Sequence, residues 1–459
     1  MNKIARRSFA VILLILLLAG GFTFFLVEYF MNAPAWAVHE GSAHMYTDDK
    51  FQGGIVTDRD GQLLLDMEGQ WTYAEDAQVR KATLHWIGDR EGNILIPAVP
   101  SYYEEVVGYS YLNGLYTYGG IGADGGMVEL TLSAKLQKVA LQAMDGRKGT
   151  VAVYNYKTGE ILCAVTTPTY DPDNIPDIAG NPETYEGAYM NRFMQAAYTP
   201  GSIFKIVTLA AAIDTIPDVQ NRQFTCTGSW GEGQHPVTCE KKHGQQSLKD
   251  AFCNSCNCAF AQISVELGSE TLQKYVEKLG IMQSVEFDGI SSASGNFESA
   301  QDPVDVAWSG IGQYTNLVNP CAFMTFMGAI ANDGRGAMPY VVAEADDGGD
   351  GYQAQTAYAD GMLSRETASV ILQYMRYNVT TKYSDDNFPG LAVCAKTGTA
   401  EKDDGKTSNG LFSGFVANEQ YPYAFFVCVE EGGYGQSSCI PVASKVLTAC
   451  KQLADGTLE

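Results

Sequence analysis

The stretch Ser202-Ile203-Phe204-Lys205 constrains this chain more than any other, through its own spacing and through two motifs that follow far downstream. It comes after a Tyr-Thr-Pro-Gly turn, and an apolar run of helical composition, Ile206 to Ile213, carries on from it. A serine in the first turn of a helix has its hydroxyl beside unpaired backbone N–H groups and the positive end of the dipole. A lysine three residues later projects from the same face. Burial can strip such a lysine of its proton near neutral pH, which makes the pair a candidate nucleophile with its own base. Taken alone, Ser-x-x-Lys mostly describes solvent-facing helix residues.

The second motif is Ser255-Cys256-Asn257 and the third is Lys396-Thr397-Gly398-Thr399. Each has a decoy. Lys157-Thr158-Gly159 sits between two apolar runs and reads as a hairpin turn, and Ser294-Gly295-Asn296 lies in a Ser/Gly-rich loop. By contrast, Ser255 follows the helical stretch from Leu248, and Lys396 ends the apolar strand from Leu391, beside which Leu411–Ala417 is expected to pair. Singly, Lys205 is a surface lysine, Ser255 and Asn257 are helix caps, and Thr397 and Thr399 are strand threonines. In order and on fitting elements, they predict one cleft.

The rest of the chain narrows the class. With 46% hydrophobic and 18% charged residues it is globular. Its 53 acidic against 30 basic residues, a net charge of −23, argue against nucleic acid and against broad docking on anionic lipid. Lys3, Arg6 and Arg7 precede an apolar run from Phe9 to Val27, long enough to cross a bilayer with a cytoplasmic N-terminus. Ala33-Pro34-Ala35 imitates a cleavage site, but the length of the run favours an uncleaved anchor.

The 11 cysteines are an odd number and cannot all pair. Cys226 and Cys239 bracket a Gly-rich loop and are candidates for a disulfide. Cys253, Cys256 and Cys258, with His235 and His243 upstream, have the spacing of zinc ligands. Buried or free thiols are the stronger reading, so no metal or cofactor is expected.

Along the chain, Gly53 to Leu65 reads as strand, turn, strand, and the stretch to about residue 127 as a small β-rich pedestal without long helical periodicity. A boundary is expected at Gly119–Gly126. Ser133–Met144 reads as a helix with an N-cap serine, Gly149–Thr167 as a hairpin, and 247–267, 270–280 and 321–332 as helical. The acidic, Gly-rich stretch Glu344–Tyr352 reads as a loop, and 391–399 and 411–429 as strands before a closing helix, 442–453. Strands enclosing a helical middle predict an α+β fold, an antiparallel sheet with packed helices.

The three motifs resemble the Ser-x-x-Lys, Ser-x-Asn and Lys-Thr-Gly set of penicillin-binding proteins and serine β-lactamases. More of the chain is similar to class B penicillin-binding proteins: Val128–Gln137, Val151–Pro172, Asn191-Arg192, Tyr198–Lys205, Gly310-Ile-Gly-Gln, Asn319-Pro320 and Ala329–Gly334. The likeness is strong from 128 to 450 and thin from 53 to 127. It departs at Thr199, where many relatives carry glutamate, and at Cys256, the variable middle of the second motif; neither supplies a catalytic group. The resemblance implies an anchor over 1–31, a pedestal over 32–127 and a transpeptidase domain over 128–459, and no glycan polymerisation by this chain.

It further implies a membrane-anchored peptidoglycan D,D-transpeptidase with its catalytic domain outside the cytoplasm. Ser202 would attack a D-Ala-D-Ala peptide with Lys205 as base, and Ser255 would pass a proton to the leaving group. Asn257 would hold Lys205 and the substrate amide. Lys396, Thr397 and Thr399 would receive the terminal carboxylate, and the N–H groups of Ser202 and Thr399 an oxyanion. Stem peptides are the implied substrates, β-lactams the covalent inhibitors, and a membrane glycan polymerase of the SEDS family the partner. The alternatives are a D,D-carboxypeptidase or β-lactamase-type hydrolase from the same site, or a non-catalytic sensor or scaffold.

Overall fold

Two apolar strands, Gly149–Asn155 and Ile161–Thr167, start the central sheet and are joined by the Lys157-Thr158-Gly159 turn. Asn155 Oδ1 accepts the N–H groups of Lys157 and Thr158 at 2.9 and 3.3 Å, which closes that turn locally. The computed structural model describes residues 3–38, 52–116, 124–232, 235–346, 351–359, 361–400 and 407–458; the expected boundary at Gly119–Gly126 falls largely outside them. Three late strands, Val393–Ala400, Asn409–Val416 and Tyr423–Val429, complete an antiparallel five-stranded sheet. The strand order is 393–400, 409–416, 423–429, 149–155, 161–167, so the Lys-Thr-Gly strand lies at an edge.

Alternate side chains of Tyr423–Val429 point to opposite faces, and both faces are covered. Phe425 and Val427 join the cluster under helices Ala134–Met144 and Ile440–Ala454, while Ala424, Phe426 and Cys428 join the larger core on the other side. Helix Pro320–Ala331 packs on that second face, and helices Lys205–Thr215, Asn257–Leu267 and Arg365–Asn378 extend the layer. Strands buried on both faces read as near-continuous apolar runs, as the sequence shows here. The molecule is an α+β protein, an antiparallel sheet with helices packed on both faces, and among the described residues one helix, Lys3–Ala37 at the N-terminus, is long and apolar enough to cross a membrane.

Three expectations need correcting. Val342–Asp346 is a strand, not part of a loop; it pairs with Met127–Leu130 and Tyr352–Gln353 in a six-stranded sheet, and only 347–350 lie outside the described residues. Its acidic Glu344 and Asp346 are only half-buried, which hid the strand in the sequence. Ala77–Ile87 is a helix inside the stretch read as β-rich. Its last five residues are all buried, which erases the helical period. Cys226 and Cys239 form no disulfide, because all cysteines carry free thiols.

The helix Ala77–Ile87 carries a consequence for pH. His85 is buried against the Ala188 carbonyl, 2.9 Å from Nε2, and burial lowers its pKa from 6.5 to about 4. The unfolded chain therefore binds a proton that the folded chain refuses between about pH 6.5 and 4, so stability falls as pH drops through that window. The loss reaches about 3 kcal/mol near pH 4. Urea midpoints compared at pH 7 and pH 4.5 should fall in the wild type and fall less in His85→Gln.

Candidate active site

Ser202 sits in a 3-10 turn, Gly201–Phe204, that runs straight into the helix Lys205–Thr215. That turn is pressed against the Lys-Thr-Gly strand. Gly201 has φ 51°, and a Cβ there would lie 2.3 Å from the Thr399 carbonyl oxygen. A Cβ at Gly398 would lie 2.7 Å from the Pro200 carbonyl oxygen. Both glycines are therefore required for the serine turn and the strand to touch.

The second motif arrives from the other side. Helix Leu248–Cys253 stops, Ser255 takes the left-handed conformation at φ 51°, and Cys256 caps the next helix, Asn257–Leu267. A non-glycine residue with positive φ is uncommon and clusters at functional sites. Here the bend aims the Ser255 hydroxyl at Ser202, Oγ to Oγ 2.9 Å.

Lys205 is fully buried and is the hub of the cleft. Its Nζ lies 2.6 Å from Asn257 Oδ1, 2.7 Å from the Ser255 carbonyl oxygen, 3.1 Å from Ser202 Oγ and 3.2 Å from Ser255 Oγ. The two shortest contacts are to oxygens that can only accept, so they take two N–H bonds. A neutral amine then has its lone pair left for the Ser202 hydroxyl. Burial lowers the Lys205 pKa from 10.5 to about 8, which makes that neutral form accessible.

Lys396 lies mid-strand rather than at a strand end, opposite Ser413 on the neighbouring strand. It is buried, donating to Ser255 Oγ at 3.0 Å and to the Thr397 carbonyl oxygen at 3.0 Å. Burial first, and the Lys205 charge second, push its pKa well below the usual lysine range. Two ammonium groups sharing one hydroxyl cannot both stay charged without a counterion. Lys396 donates to Ser255 and Ser255 donates to Ser202, while Lys205 in its charged form donates to Ser202 and in its neutral form can turn its lone pair to that hydroxyl.

Thr397 and Thr399 line the cleft of about 770 Å³, together with Ser202, Ser255 and Asn257, whereas Lys396 lies beneath its floor. Asn257 Nδ2 already donates to the Thr238 carbonyl oxygen at 2.7 Å, which fixes Oδ1 on Lys205 and leaves one N–H for a ligand. All eight residues expected at the site are thus brought together, and the decoys Lys157–Gly159 and Ser294–Asn296 are not among the residues that line it.

Some residues were missed in the sequence. Tyr383 Oη lies 2.9 Å from Thr397 Oγ1 and accepts the Thr397 N–H at 3.1 Å. It ends a π-helical turn, Val379–Tyr383, of the kind that re-aims side chains at functional sites. No local signature marks it. Glu430 accepts from Arg192 Nε and Tyr198 Oη, both at 2.8 Å, and so fastens the approach to the serine turn to the end of a central strand. Asn191-Arg192 and Tyr198 stand out in the sequence as the approach to Ser202, but nothing there marks Glu430.

Comparison with known proteins agrees with this geometry. Residues 149–448 match the penicillin binding protein transpeptidase domain. The peptidoglycan D,D-transpeptidase PbpA of Mycolicibacterium smegmatis is 27% identical over 336 residues, covering 67% of this chain and 68% of that protein. Stage V sporulation protein D of Bacillus subtilis is 28% identical over 349 residues, covering 71% of this chain and 53% of that protein. The crystal structure of PbpA from Mycobacterium tuberculosis superposes with a TM-score of 0.74 at 22% identity, over 88% of this chain and all of that one; its likeness speaks for the fold. The chain belongs to the class B penicillin-binding proteins, through a transpeptidase domain spanning residues 149–448.

Proposed function

We propose that this protein is a serine D,D-transpeptidase that cross-links peptidoglycan stem peptides and is acylated by penicillin at Ser202. The single observation that carries the reading is the chain of contacts from Lys396 through Ser255 and Ser202 to the buried amine of Lys205. Ser202 Oγ forms a bond to the carbonyl carbon of the penultimate D-alanine, and its proton moves to Lys205 Nζ. The oxyanion is held by the backbone N–H groups of Ser202 and Thr399, an arrangement worth about 3–4 kcal/mol. The C–N bond to the terminal D-alanine then breaks, and its nitrogen takes a proton through Ser255. An amine of a second stem peptide attacks the ester, passes its proton back along the same path, and restores the Ser202 hydroxyl.

Thr397 and Thr399 receive the donor's terminal carboxylate, and the cationic form of Lys396 attracts it from beneath the floor; its negative charge offsets the burial that otherwise disfavours the ammonium. Gly398 serves by having no side chain. Hydrolysis is the weaker reading of the same cleft. Among the described residues Glu240 is the one carboxylate lining it, and it is exposed, whereas a deacylating base must be held within reach of the ester's attacking water. The acyl-enzyme is therefore expected to be long-lived.

The helix Lys3–Ala37 anchors the protein, with the N-terminus in the cytoplasm and the cleft outside. A pedestal falls within 32–127 and the transpeptidase domain within 128–459, although the anchor helix runs on to Ala37 and the strand Met127–Leu130 straddles the second boundary. Tyr111 Oη donates to the Phe30 carbonyl oxygen at 2.6 Å, and Tyr29 packs on Phe30 and Tyr111. Aromatic rings at the end of a membrane helix suit the headgroup zone. Anchor and pedestal together are the contact surface for a membrane glycan polymerase of the SEDS family.

Fluorescent penicillin labelling with mass mapping of the adduct tests the assignment. The adduct should fall on Ser202. Ser255→Ala should keep the fold and lower the acylation rate by about 10²-fold, since it breaks the proton path. An adduct on another residue, or no adduct in the wild type, would remove the proposal.

A further inference from the structure

Four side chains from four segment ends converge beside the second motif. Cys226 ends the strand Gln223–Cys226, and His243 immediately precedes its partner strand, Gly244–Ser247. Cys239 follows the strand Val237–Thr238 of an adjoining small hairpin. Cys256 caps the helix Asn257–Leu267. The three sulfurs and a ring nitrogen all lie within 4.8 Å of one another.

The spacing is that of ligands around one ion. A tetrahedral zinc, with bonds of about 2.3 Å to sulfur and about 2.05 Å to nitrogen, sets sulfurs about 3.8 Å apart and a sulfur–nitrogen pair about 3.5 Å apart. Cys239 Sγ and Cys256 Sγ are 3.8 Å apart, and Cys226 Sγ is 3.5 Å from His243 Nδ1. Two of the sulfurs also accept backbone N–H groups, Cys239 from Cys258 at 3.3 Å and Cys256 from Ala259 at 3.4 Å. Such donors stabilise thiolates and hold metal ligands in orientation. Three thiolates and one imidazole form a closed set with no open position, which suits a structural rather than a catalytic ion.

We propose that Cys226, Cys239, His243 and Cys256 bind one structural zinc ion that clamps the second motif in place. Cys256 stands between Ser255 and Asn257, and Asn257 is tied to Thr238, the neighbour of Cys239. The ion fastens both sides of that connection. The sequence spacing pointed instead to Cys253, Cys256 and Cys258 with either histidine. The fold keeps only Cys256 and His243 of that group, and supplies Cys226 and Cys239 in place of the others. These four residues are positioning residues.

The test uses the full chain purified in detergent without added metal. Elemental analysis should find about one zinc per chain. A strong chelator should remove it, expose three further thiols to a thiol reagent, and lower the thermal midpoint by about 5 °C or more. Cobalt added to the stripped protein should give the intense sulfur-to-metal absorption of a thiolate site. Cys226→Ser and His243→Ala should each lose the zinc, while Cys253→Ser should retain it. Metal-free protein that the chelator leaves unchanged would overturn the proposal. So would zinc that survives in Cys226→Ser, or a Cys226–Cys239 disulfide found by mass mapping. None of these readouts depends on transpeptidase activity.

Discussion

Replacing Lys205 with arginine should slow acylation by penicillin at least about 10³-fold, because a guanidinium cannot give up its proton to act as base. The position is fully buried, so the larger head will cost some stability, and Lys205→Met provides a second variant of similar volume without the amine. Both should lose labelling while keeping a cooperative thermal transition. The wild type should show the corresponding pH dependence. Below the Lys205 pKa of about 8 the amine is protonated, so the acylation rate should rise about tenfold per pH unit and level off above that value. Stopped-flow acylation from pH 6 to 9.5 measures this directly. A flat profile, or an arginine variant that labels normally, would show that some other group takes the Ser202 proton.

The largest expected effect on stability is at Asp288, far from the chemistry. Its carboxylate accepts the Val341 and Val342 N–H groups at 2.6 and 3.0 Å and the Tyr102 hydroxyl at 2.8 Å. It thereby ties three segments distant in sequence together in a nearly dry place. Burial raises its pKa, while the three donors act in the opposite direction. Asp288→Ala would leave three buried donors without an acceptor, at about 1–3 kcal/mol each before relaxation. It would also place an alanine at φ 49°, a conformation that aspartate tolerates better. A loss of about 4 kcal/mol is expected, read as a fall of the thermal midpoint by roughly 5 °C. Asp288→Asn keeps the backbone preference and should lose less; equal losses would mean that the carboxylate's charge matters more than its place in the turn.

The parts of the fold that were legible in the sequence are those with a local cause. Ser133 caps its helix, the Lys157–Gly159 turn sits between two apolar runs, and the Ser202 turn leads an unbroken apolar helix. The eight candidate site residues could be named because each stands in a short pattern whose chemistry needs that spacing. What stayed hidden depends on contacts made by distant segments. Tyr383 matters only because a π-helical turn carries it to Thr397, and no spacing within 379–383 announces that. The helix Arg365–Asn378 passed unread, although its Ser364 cap and its buried positions at helical spacing made it legible by the same local rule. The four converging ligand residues were not separable from their neighbours until two hairpins and a helix cap had been placed in space.

The strand order of the central sheet bears on how the protein is made. Its first hairpin is synthesised early, but the partner for its inner strand is Tyr423–Val429, near the other end of the chain. Until that partner is delivered, an apolar strand edge stands unpaired, and such edges invite wrong association. Closure must therefore await synthesis of Tyr423–Val429 and will be slow, as for any topology dominated by long-range pairing. The strand bearing Lys396 docks in the same late step, so from the making of Ser202 until then a nascent chain carries its proposed nucleophile without the means to use it.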